Sequence, residues 1–279
     1  RFMAESAIAK EWNPPRLGDD RPERVAVVGA GPAGLTAALR LAQFGFKVTV
    51  FDALDEPGGM MIAGIPQHRL PQDVLRAEIS NVLRAGVDVK CNSVLGRDFS
   101  LADLQETGDF DAVILALGTR KKRGLDVPAA DALQAMGLNL DEDGRIAVDR
   151  AFQTSLPRVF AAGDAVIGHS SVVEAVGQGN RVAAVVNHFL RTGEVKRVRF
   201  SVECAIPEAA WNPADYVDAK RAEPAYTTAE SAKGRSIRVE DVWDEKTAIE
   251  ECKRCLRCDL DWQKMMAKRR QEALNEAAL

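Results

Sequence analysis

The sequence predicts an α/β fold built on a parallel sheet, and three observations carry that prediction. Val25 to Val28 is a short, continuous apolar run, as expected of a strand buried on both faces. It passes through "GAGPAG" into a segment of helical periodicity, Pro32 to Phe44, and then into a second strand-like run, Lys47 to Asp52. That second run ends on an acid, Asp52, so strand, glycine turn, helix, strand and acid stand in the order of a Rossmann-like βαβ unit.

The remaining elements follow in order. Arg1 to Glu11 reads as a short helix, and Pro14, Pro15, Gly18 and Pro22 make the rest of residues 1–22 an extended linker. "EPGGMMIAGIPQHRLP" is a Gly- and Pro-rich loop too long for a plain connection. Gln72 to Ala85 reads as a helix, and Val87 to Lys90 as a short strand. Asp111 to Ala116 is another buried strand, and Arg145 to Val148 and Val159 to Ala162 read as two more. Ser170 to Leu190 is a long helix. Beyond Phe200 the pattern weakens into a mostly extended tail that ends in a charged helix, Glu245 to Glu276.

Bulk properties narrow the class. At 279 residues the chain is long enough for one large domain or two ordinary ones. With 46% hydrophobic and 28% charged residues it is an ordinary globular composition, and a net charge of −4 gives no global reason to expect nucleic acid or a membrane surface as partner. No apolar run approaches the length of a membrane span. Five cysteines, three of them clustered near the C-terminus, do not resemble a secreted disulfide framework, so the expected location is cytoplasmic. The chain begins "RFMAES" and is expected to be processed or to be part of something longer.

The chemistry sits in two motifs. In "GAGPAG", Gly29 allows the tight turn, Gly31 lets backbone approach a pyrophosphate, and Gly34 allows close packing of helix on strand. Asp52 is placed to accept hydrogen bonds from an adenosine ribose. In "TSLPRVFAAGDAV" a strand runs into Gly163 and Asp164, where the bland reading of the acid is a helix or turn cap.

Together the two motifs, with "EPGGMMIAGIPQHRLP", "ALGT" and "SSVVEAVGQGNRVA", resemble the FAD-binding half of the small (beta) subunit of glutamate synthase. Relatives of that family include the flavin subunit of the electron-bifurcating ferredoxin:NADP oxidoreductase and one segment of dihydropyrimidine dehydrogenase. The resemblance covers Arg1 to Leu190, and "GIPxxRLP" after "GG" is its most specific part. It implies FAD held by Gly29, Ala30, Gly31, Pro32, Ala33, Gly34, Asp52, Ala53, Gly59, Met60, Ile65, Arg69, Val94, Ala116, Leu117, Gly118, Thr119, Gly163, Asp164, Val172 and Val173. Asp164 would then meet the ribityl chain, and the helix beginning near Ser170 would aim its first amides at the flavin pyrimidine ring.

The resemblance also makes "VILALGTRKKRGLDVPAADALQAMGLNLDEDGRIAVD" too short. In the family "LGT" leads out of the FAD domain into a second Rossmann domain for NAD(P)H, and the chain returns before a segment like "GLNLDEDGRIAVD". Such a domain needs on the order of a hundred residues, and only a few stand here. The flanks match exit and re-entry so closely that a nucleotide domain missing from these 279 residues is the expectation, with natural absence the alternative. Residues 23–128 and 129–199 are thus two parts of one FAD-binding domain, and residues 200–279 an interaction arm anchored by Trp211, Tyr216, Tyr226 and Trp243.

Cys252, Cys255 and Cys258 resemble the start of a [4Fe–4S] ligand run, but the fourth cysteine and following proline are missing. Only Cys204 or Cys91 could complete the site within the chain, and the same spacing fits one face of a docking helix. His68, His169 and His188 do not form a metal spacing, and the basic run Arg120 to Arg123 reads as solvated. No side chain reads as a catalytic acid, base or nucleophile, because the flavin itself would do the chemistry. The expected role is an oxidoreductase subunit passing electrons between NAD(P)H and iron–sulfur or metalloenzyme subunits of a larger complex. The alternative is an FAD relay or structural subunit without NAD(P)H activity of its own.

Overall fold

The computed structural model describes residues 2–119, 128–198, 220–226 and 241–254. Five strands, β1 (Arg24–Val28), β2 (Lys47–Phe51), β3 (Val87–Lys90), β4 (Ala112–Leu115) and β5 (Val159–Ala161), form one sheet in the order β3-β2-β1-β4-β5. Every neighbouring pair is parallel. Val28 stands opposite both Phe51 and Leu115, so β1, β2 and β4 end together. The chain steps outward one way from β1 through β2 to β3, and the other way through β4 to β5. The ends of β1 and β4 therefore mark the topological switch point where crevices form in such sheets.

Both faces of the sheet are covered, which explains the unbroken apolar runs. Val25, Val27, Ala112, Ile114 and Phe160 point into one core, and Ala26, Val28, Val113, Leu115, Val159 and Ala161 into the other. The first core is closed by α2 (Pro32–Gln43), α4 (Gln72–Arg84) and α7 (Val172–Thr192). The second is closed by Leu95, Leu101 and Leu104 on one side and Leu133, Leu138 and Ile146 on the other.

Most expected elements lie within a residue or two of their predicted bounds. The N-terminal helix is α1 (Phe2–Ala9), and the linker after it is not loose. The amides of Leu17 and Gly18 both donate to the carbonyl of Gln43, and Gln43 Nε2 donates to the carbonyl of Pro15 at 2.9 Å, which fixes the segment to the end of α2.

The expected strand at Arg145 to Val148 is not one. Asp141 accepts the amides of Asp143 and Arg145 and the Arg145 guanidinium, closing a tight turn in which only Leu140 and Ile146 make a bridge. The Ile146 amide donates to Ala165 at 2.9 Å, so the hydrogen bonds of this segment go to a hairpin and a loop, not to the sheet. Four short helical pieces escape a periodicity reading because each is a single turn or little more. They are α3 (Met60–Ala63), a π-helical turn at Asp103–Thr107, α5 (Ala130–Ala135) and α6 (Asp164–Ile167).

The chain divides into two compact units, Ala7–Arg199 and a smaller one comprising Arg1–Ser6 with Phe200–Leu279. Of the expected C-terminal helix, α8 (Glu245–Cys252) is described, capped by Asp244, whose carboxylate accepts the Thr247 amide at 2.7 Å. Tyr226 is exposed and Trp243 half-buried. The basic run at Arg120 to Arg123, Trp211, Tyr216, Cys204, Cys255 and Cys258 lie outside the described residues.

Candidate functional site

A cleft opens at the switch point, above the C-terminal ends of β1, β2 and β4. Most of the expected residues line it: Gly29, Gly31, Pro32 and Ala33 from the glycine turn, Asp52 and Ala53 after β2, Gly59, Met60 and Ile65 from the long loop, Ala116 to Thr119 after β4, and Gly163, Asp164 and Val172.

The glycine turn is built by close backbone approach. A Cβ on Gly29, at φ +109°, would stand 2.2 Å from the carbonyl oxygen of Ala116, and one on Gly34 would stand 1.8 Å from that of Gly29. At Gly31 the space is open, with nothing within 4 Å of where a Cβ would be. α2 begins with Pro32 and has no side-chain cap, and its first intrahelical bond runs from Leu35 to Gly31. The amides of Ala33 and Gly34 thus precede any intrahelical acceptor, and a helix start of this kind favours an anion.

Asp52 is buried, with 7% of its surface exposed. Its Oδ2 accepts the Ala30 amide at 2.5 Å and its Oδ1 the Leu54 amide at 2.8 Å. Burial pushes its carboxyl above the usual aspartate range, against the two amide bonds that lower it. Asp52 is thus a strut joining the glycine turn to the loop after β2, with lone pairs left for a further donor.

At the other end, Asp164 opens α6, and its Oδ1 accepts a hydrogen bond from Ser170 Oγ at 2.5 Å. His169 Nδ1 lies 4.0 Å from Asp164 Oδ2. α7 starts with a capping box: Ser171 Oγ accepts the Glu174 amide, and the Glu174 carboxylate accepts the Ser171 amide. The Ser171 amide bond, the largest effect, and the Ser171 hydroxyl hold the Glu174 carboxyl below its usual range. The box occupies the Ser171 and Glu174 amides, so the helix start offers fewer donors than its position alone suggests.

Five expected residues stand off the cleft wall. Ala30 is fully buried, its amide taken by Asp52; Gly34 packs beneath the turn; and Val94 is buried, with its amide donating to Asp98. Arg69 is exposed in the turn after Pro66, and Val173 is 79% exposed because it follows the cap on the outer side of α7. Ser170 and Ser171 line the cleft where the helix start was expected to face the cofactor, and Pro128 and His169 line it without having been expected there. The S-x-x-E spacing of Ser171 and Glu174 was a legible signal for the helix start. Nothing in the sequence points to Pro128 or His169.

Among the described residues no cluster of three or more His, Cys, Asp or Glu could hold a metal ion. Cys91 is half-buried, and burial, with the charges of Asp52, Asp55 and Glu56, pushes its thiol up, so it is no ready thiolate. No helix among the described residues is long and apolar enough to cross a membrane.

A family model described as pyridine nucleotide-disulphide oxidoreductase matches residues 23–132 and 124–179, which together take in the sheet, the glycine turn and the cleft. The chain belongs to this family. Among curated proteins it is similar to the beta subunit of NADP(+)-dependent formate dehydrogenase from Moorella thermoacetica, at 44% identity over 39% of this chain and 15% of that protein. It is also similar to a homolog of the PreT subunit of NAD-dependent dihydropyrimidine dehydrogenase from Salmonella typhi, at 34% identity over 55% of this chain and 37% of that protein. The NADPH glutamate synthase small chain of Bacillus subtilis is 36% identical over 47% of this chain and 27% of its own length. The resemblance read from the motifs therefore holds, and the chain spans well under half the length of each of these relatives.

Proposed function

We propose that the cleft holds FAD and that the protein is an oxidoreductase subunit, passing electrons between NAD(P)H and an iron–sulfur or metalloenzyme partner. The observation that carries this reading is the uncapped start of α2 beside the open space at Gly31, at the switch point of a parallel sheet. A pyrophosphate fits there: backbone donors face it, a helix start favours its charge, and no side chain fills its place. Asp52 stands at the adenosine side and the Gly163–Asp164 turn at the flavin side. Bound FAD would supply hydride acceptance and single-electron release. The residues of this chain would bind and orient the cofactor and shield one side of it from water.

Pro128 lines the cleft, so a nucleotide domain inserted between residues 128 and 129, where the two parts of the FAD-binding domain meet, would be tethered at its mouth. Family membership and the short junction together favour such a domain in the full-length protein. The alternative, an FAD relay with no NAD(P)H activity of its own, is favoured by the shortness of the junction taken alone. Denaturing extraction of the purified protein should release FAD; release of FMN, or of no flavin, would sink the reading. NAD(P)H oxidation with an artificial acceptor, together with the mass of the natural gene product, decides between subunit and relay. A mass of 30.3 kDa with no oxidation leaves the relay.

A further inference from the structure

Gln178 is one of three buried polar or charged side chains among the described residues, and it lies on α7, outside "GAGPAG" and "TSLPRVFAAGDAV" in sequence. Only 7% of its surface is exposed. Its Oε1 accepts the amide of Gly163 at 2.7 Å, inside the protein. That amide is special by position. The Ala162 amide donates to Leu115, the last residue of β4, at 3.0 Å. Amides along a strand point alternately to its two sides: the Ala161 amide donates to Phe152, away from β4, and the Gly163 amide faces that same open edge of β5, where no strand of the described sheet pairs with it. The chain then turns at Gly163, with φ +75°, and puts Asp164 into the cleft.

The helix that carries Gln178 cannot drift. Next to it, Gly179 packs so closely on α2 that a Cβ there would stand 2.4 Å from the carbonyl oxygen of Ala33. A Cβ on Gly163 would in turn stand 2.8 Å from the Ala33 side chain. Ala33 belongs to the glycine turn, so one residue of the first motif touches both the turn and the helix of the second. Gln178 ties these together with a hydrogen bond of fixed length.

We infer that Gln178 is a positioning residue for the cofactor: it supplies the acceptor for the Gly163 amide at the open edge of β5 and thereby sets the angle at which Asp164 enters the cleft. The inference rests on the FAD reading above. Leucine at this position fills the volume but leaves the Gly163 amide without an acceptor. Asparagine keeps the amide but is one methylene too short to reach. Glutamate keeps both length and acceptor oxygen.

The test compares the wild-type protein with Gln178→Leu, Gln178→Asn and Gln178→Glu. Apoprotein is titrated with FAD by flavin fluorescence, and the visible circular dichroism of the bound flavin is recorded beside the melting temperature of each apoprotein. Gln178→Leu and Gln178→Asn should bind FAD about tenfold more weakly, with altered flavin dichroism, while Gln178→Glu stays within about threefold of wild type. Wild-type affinity and dichroism in Gln178→Leu would overturn the inference, even with a lowered melting temperature, because the bond would then be structural only. So would a Gln178→Glu protein as impaired as Gln178→Leu. If the wild-type protein itself takes up no FAD, all four fail alike, and it is the flavin reading that falls.

Discussion

The two ends of the cleft are built by different means. The glycine-turn end is made chiefly of backbone against backbone, Gly29 against Ala116 and Gly34 against Gly29, with one side chain, the Asp52 carboxylate, holding the Ala30 amide. The Gly163–Asp164 end is held by side chains reaching from other elements and loops. Gln178 holds the Gly163 amide, Ser170 holds Asp164, and Arg145 Nη1 reaches the Ile167 carbonyl at 3.4 Å. At Gly29 and Gly34 the first end tolerates no added atom, because backbone cannot step aside without moving a strand or a helix. The second can shift when one bond is lost, because side chains and a single-turn helix carry its shape. The glycine-turn end is therefore a fixed cradle, and the other end the adjustable one.

The hardest test of that contrast is Gly34→Ala. Alanine in a helix usually stabilises relative to glycine by about 1 kcal/mol. Here the added Cβ would stand 1.8 Å from the Gly29 oxygen and 3.3 Å from the Ala116 side chain, so the sign should reverse. A loss of about 3 kcal/mol or more in chemical denaturation, or failure to fold, is expected. Stabilisation would show that the cradle yields after all.

Gly31→Ala sharpens the same point from the opposite side. The residue has extended backbone angles, φ −75° and ψ −177°, and open space where its Cβ would be. The apoprotein should melt as the wild type does. FAD affinity should fall about a hundredfold, or about 2.7 kcal/mol, because the methyl group takes the pyrophosphate's place. Unchanged affinity would move the phosphates elsewhere.

Asp52→Asn probes the strut. Asparagine presents one acceptor where the carboxylate presents two, so one of the Ala30 and Leu54 amides faces an NH2 group. The cost should be about 1–3 kcal/mol in the apoprotein. The pH dependence has a definite sign. A carboxyl raised in the fold contributes stability below its unfolded value, near 3.8, and that contribution is lost as pH rises through the folded value. The gap between wild type and Asp52→Asn should therefore widen in mild acid and narrow toward neutrality. A gap that narrows in acid would mean that the two amide bonds outweigh burial.

The smallest effect belongs to the adjustable end. Ser171→Ala removes the hydroxyl that accepts the Glu174 amide and should cost about 1 kcal/mol, seen as a modest drop in melting temperature. FAD affinity should change less than twofold to threefold, because Ser170 and Gln178 still hold the turn. A larger loss of affinity than of stability would place the α7 start in direct contact with the cofactor.

The sequence by itself determined the sheet, its parallel sense and the cradle. Unbroken valine runs mean burial on both faces, and glycines at fixed offsets after a strand mean close backbone approach. Both are local consequences of chain geometry and need no partner to be read. Its one false strand, Arg145 to Val148, has the right apolar pattern, but the acceptors Asp141 and Ala165 capture its amides before any strand can. Only the tertiary structure decided which residues reach the cleft. It buried Ala30 and Val94, turned Val173 outward, and brought Pro128 and His169 to the wall. It also set Gln178 under Gly163, fifteen residues away along the chain. No periodicity or motif encodes such a meeting, because it depends on how closely one helix can lie on another, and that distance is set by Gly179 against Ala33.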